Sequence, residues 1–142
     1  MGAREKDLNP DVFIGLKLPL GYSETGYFKQ TKTTMEQAMW NIINLLSTIP
    51  GERLGQPTFG SKVHELLFEP MDQDFSATLV ESIKETISTW LPYISIRDVK
   101  VEFPEYGPNQ VNVTVDFGLS FEPNRFGSVS VNFDQFESSI NV

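Results

Sequence analysis

The sequence predicts an α+β domain, three helices packed on one face of a small antiparallel sheet, and three observations predict it. Apolar residues recur at helical spacing between residues 33 and 91, and they alternate with polar residues from 99 onward. Pro50 and Pro92 stand where two of the helical runs end. Helices in the first half and strands in the second favour a meander covered by helices over alternating βα units.

Residues 1–31 read as an extended amino-terminal arm, because Pro10, Gly15, Pro19 and Gly21 interrupt any long element. At most a short strand near 12–18 is expected. A frayed terminus is one reading of such an arm; Phe13, Ile14 and Leu16 support a second, docking on a partner. Residues 32–142 read as a single domain.

The run TTMEQAMWNIINLLST opens with a capping-box pattern, Thr33 with Glu36 or Thr34 with Gln37. Met35, Ala38, Met39, Ile42, Ile43, Leu45, Leu46 and Ile49 then share a helical face that ends before Pro50. A second, short helix fits SKVHELLF, with Val63, Leu66 and Leu67 on one side. A third fits DFSATLVESIKETISTWL, where Leu79, Ile83, Ile87, Trp90 and Leu91 form the stripe and Pro92 stops it. Asp72 and Asp74 precede this helix as cap or first-turn carboxylates.

The strands follow. Val99, Val101 and Phe103 alternate with Lys100 and Glu102; after the turn EYGPN, Val111, Val113, Val115, Phe117, Leu119 and Phe121 alternate with polar or small residues; Val129, Val131 and Phe133 form a third run. Such patterning belongs to an antiparallel sheet with one buried side. Each strand side chain buried there contributes about 1.5–3 kcal/mol, against about 1–2 kcal/mol per residue for ordering the backbone, so the sheet needs its helices.

Composition excludes several functions. The chain has 142 residues, no cysteine, 19 acidic and 11 basic residues and a net charge of -8. Disulfides and thiolate chemistry are therefore out, and the basic residues are scattered along the sequence, which argues against nucleic acid and anionic membrane as partners. No apolar run approaches a membrane-spanning length and no leader pattern opens the sequence, so a soluble protein is expected.

The most unusual stretch is TIPGERLGQPTFG, residues 48–60, in which Ile49, Leu54 and Phe59 are expected to be buried. The segment Gly55 to Lys62 has the glycine spacing of a phosphate loop but ends Ser61-Lys62, the reverse of the order that places lysine on the phosphates and a hydroxyl on magnesium. His64 is the sole histidine, so a multi-histidine metal site is excluded and no metal or other cofactor is expected. Asp72 and Asp74 do not begin an EF-hand, since Ala77 and Ile83 occupy the positions of its glycine and bidentate glutamate. Glu52, Glu65 and Glu69 are the carboxylates a glycosidase would use, if Phe59, Leu66 and Phe68 kept one of them protonated. Glu52-Arg53 is either a solvated pair or a loop anchor in which Arg53 ties carbonyls or a carboxylate such as Glu69.

Taken in order, NIINLLSTIPGERLGQPTFGSKVHELLFEP resembles the signature of the phage baseplate wedge proteins related to the T-even gene-twenty-five product, the GPW family. The matching elements are Leu45, Leu46 and Thr48; Gly51, Glu52 and Arg53; Pro57, Phe59 and Gly60; and Leu67, Phe68 and Glu69. The resemblance spans about residues 24 to 133. It implies a non-enzymatic structural protein of the virion, located in the tail baseplate and assembled in the host cytoplasm, that binds baseplate wedge proteins and initiates the tail sheath. Contacts with tail tube or hub proteins, six copies per baseplate and a monomer in isolation belong to the same expectation, as does a domain similar to the interlocking domain of sheath subunits. Glu52, Arg53, Pro57, Phe59, Gly60, Phe68 and Glu69 are then candidate partner contacts. Pro92 and Tyr93 join them, although Leu91-Pro92-Tyr93 stands where the family often has Glu-Pro-Arg. Val129, Val131 and Phe133 mark the candidate open edge. A lysozyme-like glycosidase on the same fold is the alternative.

Overall fold

The computed structural model describes residues 2–17, 20–24, 26–69, 74–104, 110–134 and 138–139. The chain divides into two compact units, Met1–Asn41 and Ile42–Val142.

The first unit begins with α1 (Ala3–Leu8), a helix where the sequence reading expects extended chain. Six residues are too few to hold a helix alone. Its first turn is closed by the Glu5 carboxylate, which accepts the Gly2 amide at 3.0 Å, and a second carboxylate ties it down. Asp7 Oδ1 accepts both the backbone amide and the hydroxyl of Thr34, each at 2.7 Å. Asp7 thus satisfies a first-turn amide of α2 (Thr34–Ser47) from outside that helix. Thr33 Oγ accepts the Glu36 amide at 3.2 Å, so the Thr33 register of the expected capping box is the one used. Glu36 returns its carboxylate to the Lys32 amide at 3.4 Å, one residue short of the reciprocal bond. Gln37 is engaged by the Thr31 hydroxyl at 2.6 Å and by Asn41 at 2.9 Å.

The expected short strand is β1 (Gly15–Leu16), paired antiparallel with β2 (Gln30–Thr31). Beyond this ladder the hairpin continues through the Lys17 amide to the Lys29 carbonyl at 2.9 Å and the Lys29 amide to the Gly21 carbonyl at 2.8 Å. Tyr22 and Phe28 stack at 5.3 Å near its tip.

The second unit takes up the last turns of α2, where Ile42, Ile43, Leu45 and Leu46 are buried. It adds α3 (Val63–Leu66), α4 (Phe75–Trp90), and the meander β3 (Ile94–Glu102), β4 (Gln110–Leu119), β5 (Glu122–Asp134) and β6 (Ser138–Ser139). Asp74 occupies the N-cap of α4 without a side-chain bond to its amides, and Asp72 and the turn EYGPN lie outside the described residues. Phe75, Leu79, Ile83 and Ile87 form the buried stripe of α4.

All strands run antiparallel in the order β3-β4-β5-β6. Val101, Val113 and Val131 form one cross-strand row and Val99, Val115 and Val129 the next. In β3 the apolar positions switch from even (Ile94, Ile96) to odd (Val99, Val101), and a register shift between Ile96 and Asp98 absorbs the extra residue. That bulge keeps one face of the strand apolar throughout. The opposite face is polar, with Thr114 and Ser130 hydroxyls 2.9 Å apart and Lys100 3.9 Å from Asp116.

The fold is therefore mixed, as expected, with four helices and two antiparallel sheets among the described residues. The expected three-helix layer takes a narrower form: α4 packs along β3, and α3 packs on α4.

Candidate functional site

The loop that joins α2 to α3 is closed by its own backbone. Thr48 Oγ donates to the Asn44 carbonyl at 2.6 Å, and the Thr48 carbonyl accepts the Ser61 amide at 2.9 Å, which clamps the two ends together. Inside this clamp the Gly51 amide reaches the Pro57 carbonyl at 2.7 Å. Glu52 makes a reciprocal turn with Ile49: its amide donates to the Ile49 carbonyl at 3.1 Å and its carboxylate accepts the Ile49 amide at 3.0 Å. Gly51 and Gly60 have φ of 99° and 135°, values that side chains strongly disfavour.

Leu54 corrects the expectation that the loop buries its three large apolar residues, because it is 99% exposed. Closure between Gly51 and Pro57 leaves the residues between them as a tip beyond the core. Ile49 is half-buried and Phe59 is buried.

Arg53 answers its own question differently from either expected alternative. Its guanidinium lies 4.1 Å from the centre of the Phe59 ring, and the Phe59 ring meets Trp90 of α4 edge-on at 5.1 Å. Arg53, Phe59 and Trp90 thus form three layers running from solvent to the helix. No ion pair joins Arg53 to Glu52 or Glu69 among the described residues. Trp90 is the partner the sequence hides, since helical spacing marks it only as one more apolar position.

His64, on α3, stands with its ring edge-on to Phe133 of β5 at 5.4 Å. Its Nε2 is buried without a hydrogen-bond partner. Burial lowers the imidazole pKa below its ordinary value, and the Glu52 carboxylate opposes that shift. Glu52, Glu65 and Glu69 are exposed and Phe68 is 72% exposed, so the apolar enclosure a protonated catalytic carboxyl requires is not formed around them. Among the described residues no group of three acidic or histidine side chains could hold a metal ion, and no helix is long and apolar enough to cross a membrane.

Beside the loop runs a groove of about 440 Å³, with Pro57, Thr58 and Lys62 on one wall and Glu85, Thr86 and Trp90 on the other. Gly60 is also among the lining residues. The structure therefore gathers Glu52, Arg53, Pro57, Phe59 and Gly60 on one loop, while Phe68 and Glu69 follow α3. Pro92 is exposed at the end of α4, and the Tyr93 carbonyl accepts both the amide and hydroxyl of Ser120, at 3.0 and 2.9 Å.

Val129, Val131 and Phe133 lie elsewhere, with side chains in the core. Only their backbone can face a partner. β6 covers the outer side of β5 at Asn132 and Phe133, and no other described strand flanks β5 on that side.

Residues 34–124 match the family model of baseplate wedge protein gp25. Among solved structures, the chain is similar to a protein of Geobacter sulfurreducens provisionally described as a tail lysozyme, with 21% identity, a TM-score of 0.67, and 77% of this chain and 97% of that one covered. It is also similar to a chain in the baseplate of the anti-feeding prophage, with 20% identity, a TM-score of 0.58, and coverage of 84% and 83%. At these identities the likeness is one of fold. No match is found among curated proteins.

Proposed function

The chain belongs to the baseplate wedge protein gp25 family, and from that premise we propose that it binds wedge proteins in a contractile-tail baseplate and initiates polymerisation of the sheath. Membership itself makes it a baseplate component of contractile-tail-like particles. The finer reading is carried by the outer side of β5, a strand of 13 residues that, among the described residues, β6 covers at Asn132 and Phe133. An edge of that kind offers unpaired amides and carbonyls to an extended segment, which adds as a further strand. The sheath subunit supplies that segment, and six copies around the tail present six such edges. Register is set by the buried alternation of Val129, Val131 and Phe133, since a slip of one residue would turn core side chains outward.

Wedge proteins meet the opposite kind of surface: the loop with its exposed Leu54, the exposed Phe68 that follows α3, and the groove along α4. Just past α4, exposed Pro92 and half-buried Tyr93 offer apolar and aromatic contacts where the family often has charged ones, while Leu91 is buried. Assembly takes place in the host cytoplasm before the virion is complete.

Adding purified chain to cognate sheath protein should abolish the lag before ordered polymer forms, followed by light scattering and electron microscopy. An unchanged lag overturns the sheath reading. The glycosidase alternative rests on the fold shared with the Geobacter sulfurreducens protein. Release of labelled peptidoglycan that disappears in Glu52→Gln, Glu65→Gln or Glu69→Gln would establish it over the purely structural role.

A further inference from the structure

The lysines of the amino-terminal unit look dispersed in the sequence, but the hairpin collects three of them. Lys17 and Lys29 are brought together by their backbone bond of 2.9 Å. With Lys32 they line a groove of about 540 Å³ whose other walls include Phe13, Tyr27 and Phe28. The scatter read from the sequence is therefore corrected at this one place.

Lys17 is already engaged, 3.9 Å from Glu36 and 5.8 Å from the Trp40 ring. Lys32 lies 5.6 Å from the Phe13 ring. Neither Lys29 nor Lys32 has an acidic partner at ion-pair distance among the described residues. Two uncompensated ammonium groups thus sit beside aromatic surface that is open to solvent, Tyr27 at 78% and Phe13 at 54% exposure. Exposed aromatic surface of this kind marks interaction sites, and ammonium groups beside it set the charge of what binds.

We propose that this groove docks an acidic segment of a partner protein, one that carries an aromatic residue between its carboxylates. The charge of the chain supports this assignment. Residues 1–41 hold five basic and five acidic residues, while residues 42–142 hold six basic and fourteen acidic ones and so carry the whole net charge of -8. An acidic segment is repelled by the second unit and steered to the first. Nucleic acid is a poorer occupant, because duplex binding draws on many phosphate contacts at once and Glu36 stands in the groove wall. The inference does not depend on the baseplate reading, since the groove belongs to the isolated chain.

The test uses the full chain and a fluorescein-labelled ten-residue peptide of alternating Glu and Phe, read by fluorescence anisotropy. Binding should weaken as salt rises. A peptide with Gln in place of Glu should bind at least about tenfold more weakly, as should the Lys29→Glu/Lys32→Glu variant toward the original peptide. Both lysines are exposed, so the variant should keep the parent melting temperature, and amide shifts in the parent on binding should fall within 13–32. Equal binding of the Gln peptide, unchanged affinity of the double variant, or tighter binding of duplex DNA than of the acidic peptide would each overturn the proposal.

Discussion

Gly60→Ala should destabilise the second unit by about 2–3 kcal/mol, and the structure shows why. At φ of 135° a residue with a side chain is held in a conformation that costs about 1–3 kcal/mol. The added Cβ would also lie 2.5 Å from the Thr48 carbonyl oxygen, 2.9 Å from the Pro50 nitrogen and 3.0 Å from the Ile49 carbonyl carbon. All three are backbone atoms, so no side chain can rotate to relieve them. The loop ends must spread, loosening the Ser61 amide to Thr48 carbonyl bond of 2.9 Å, a loss of about 1 kcal/mol. Reduced freedom of the unfolded chain returns about 0.4–1 kcal/mol. For a chain of this size the net loss corresponds to a melting shift of about 5–10 °C. Gly55→Ala is the control, because nothing lies within 4 Å of its Cβ and its φ is ordinary; it should be neutral or slightly stabilising. Urea unfolding followed by circular dichroism measures both. A Gly60→Ala loss below about 0.5 kcal/mol, or an equal loss in Gly55→Ala, would refute the clamp.

Val115 is fully buried and faces Val99 and Val129, whereas Thr114 is on the polar face opposite Lys100. Val115→Asp should therefore abolish the folded circular-dichroism signal and Thr114→Asp should retain it; equal loss would refute the facing. Phe59→Ala should cost about 3–5 kcal/mol through lost packing, and Arg53→Gln only about 0.5–1 kcal/mol through the lost cation–ring contact, measured by denaturant midpoints. The reverse order would show that Arg53, not the ring, holds the loop. The pKa of His64 is lowered in the folded chain, so the unfolded chain takes up the proton first as pH falls. Stability due to this group is present above its ordinary value near 6.5 and declines as pH drops below it. The urea midpoint should fall between pH 7.5 and 5.5 in the parent and fall less in His64→Gln; identical slopes would remove His64 from the account.

Period carried most of the fold. The long runs of α2, α4 and β4 bury one stripe or one face, and that is the feature sequence records best. What it missed depends on contacts remote in sequence. Asp7 gives no local sign of reaching Thr34, and α1 is too short to announce itself. The phase change in β3 is visible only once Ile94 and Ile96 are recognised as strand residues preceding the bulge. At the loop, glycine and proline announced an ordered turn, but burial of Leu54 was inferred from residue type alone, and the closed Gly51–Pro57 turn overrides it. Arg53 invited an ionic partner because its neighbour is Glu52, yet its contact is the ring six residues on. Lys17, Lys29 and Lys32 look scattered until β1 and β2 fold them onto one groove. The resemblance built on the 45–69 segment agrees with the family match over residues 34–124.

Hydrogen exchange along β5, measured on the chain alone and after mixing with cognate sheath protein, tests the central claim most directly. Strand addition predicts slowed exchange of outward-facing amides between Glu122 and Val131, with little change in the amides that β4 already protects. Protection confined to other surfaces, with β5 exchanging as in the free chain, would contradict it.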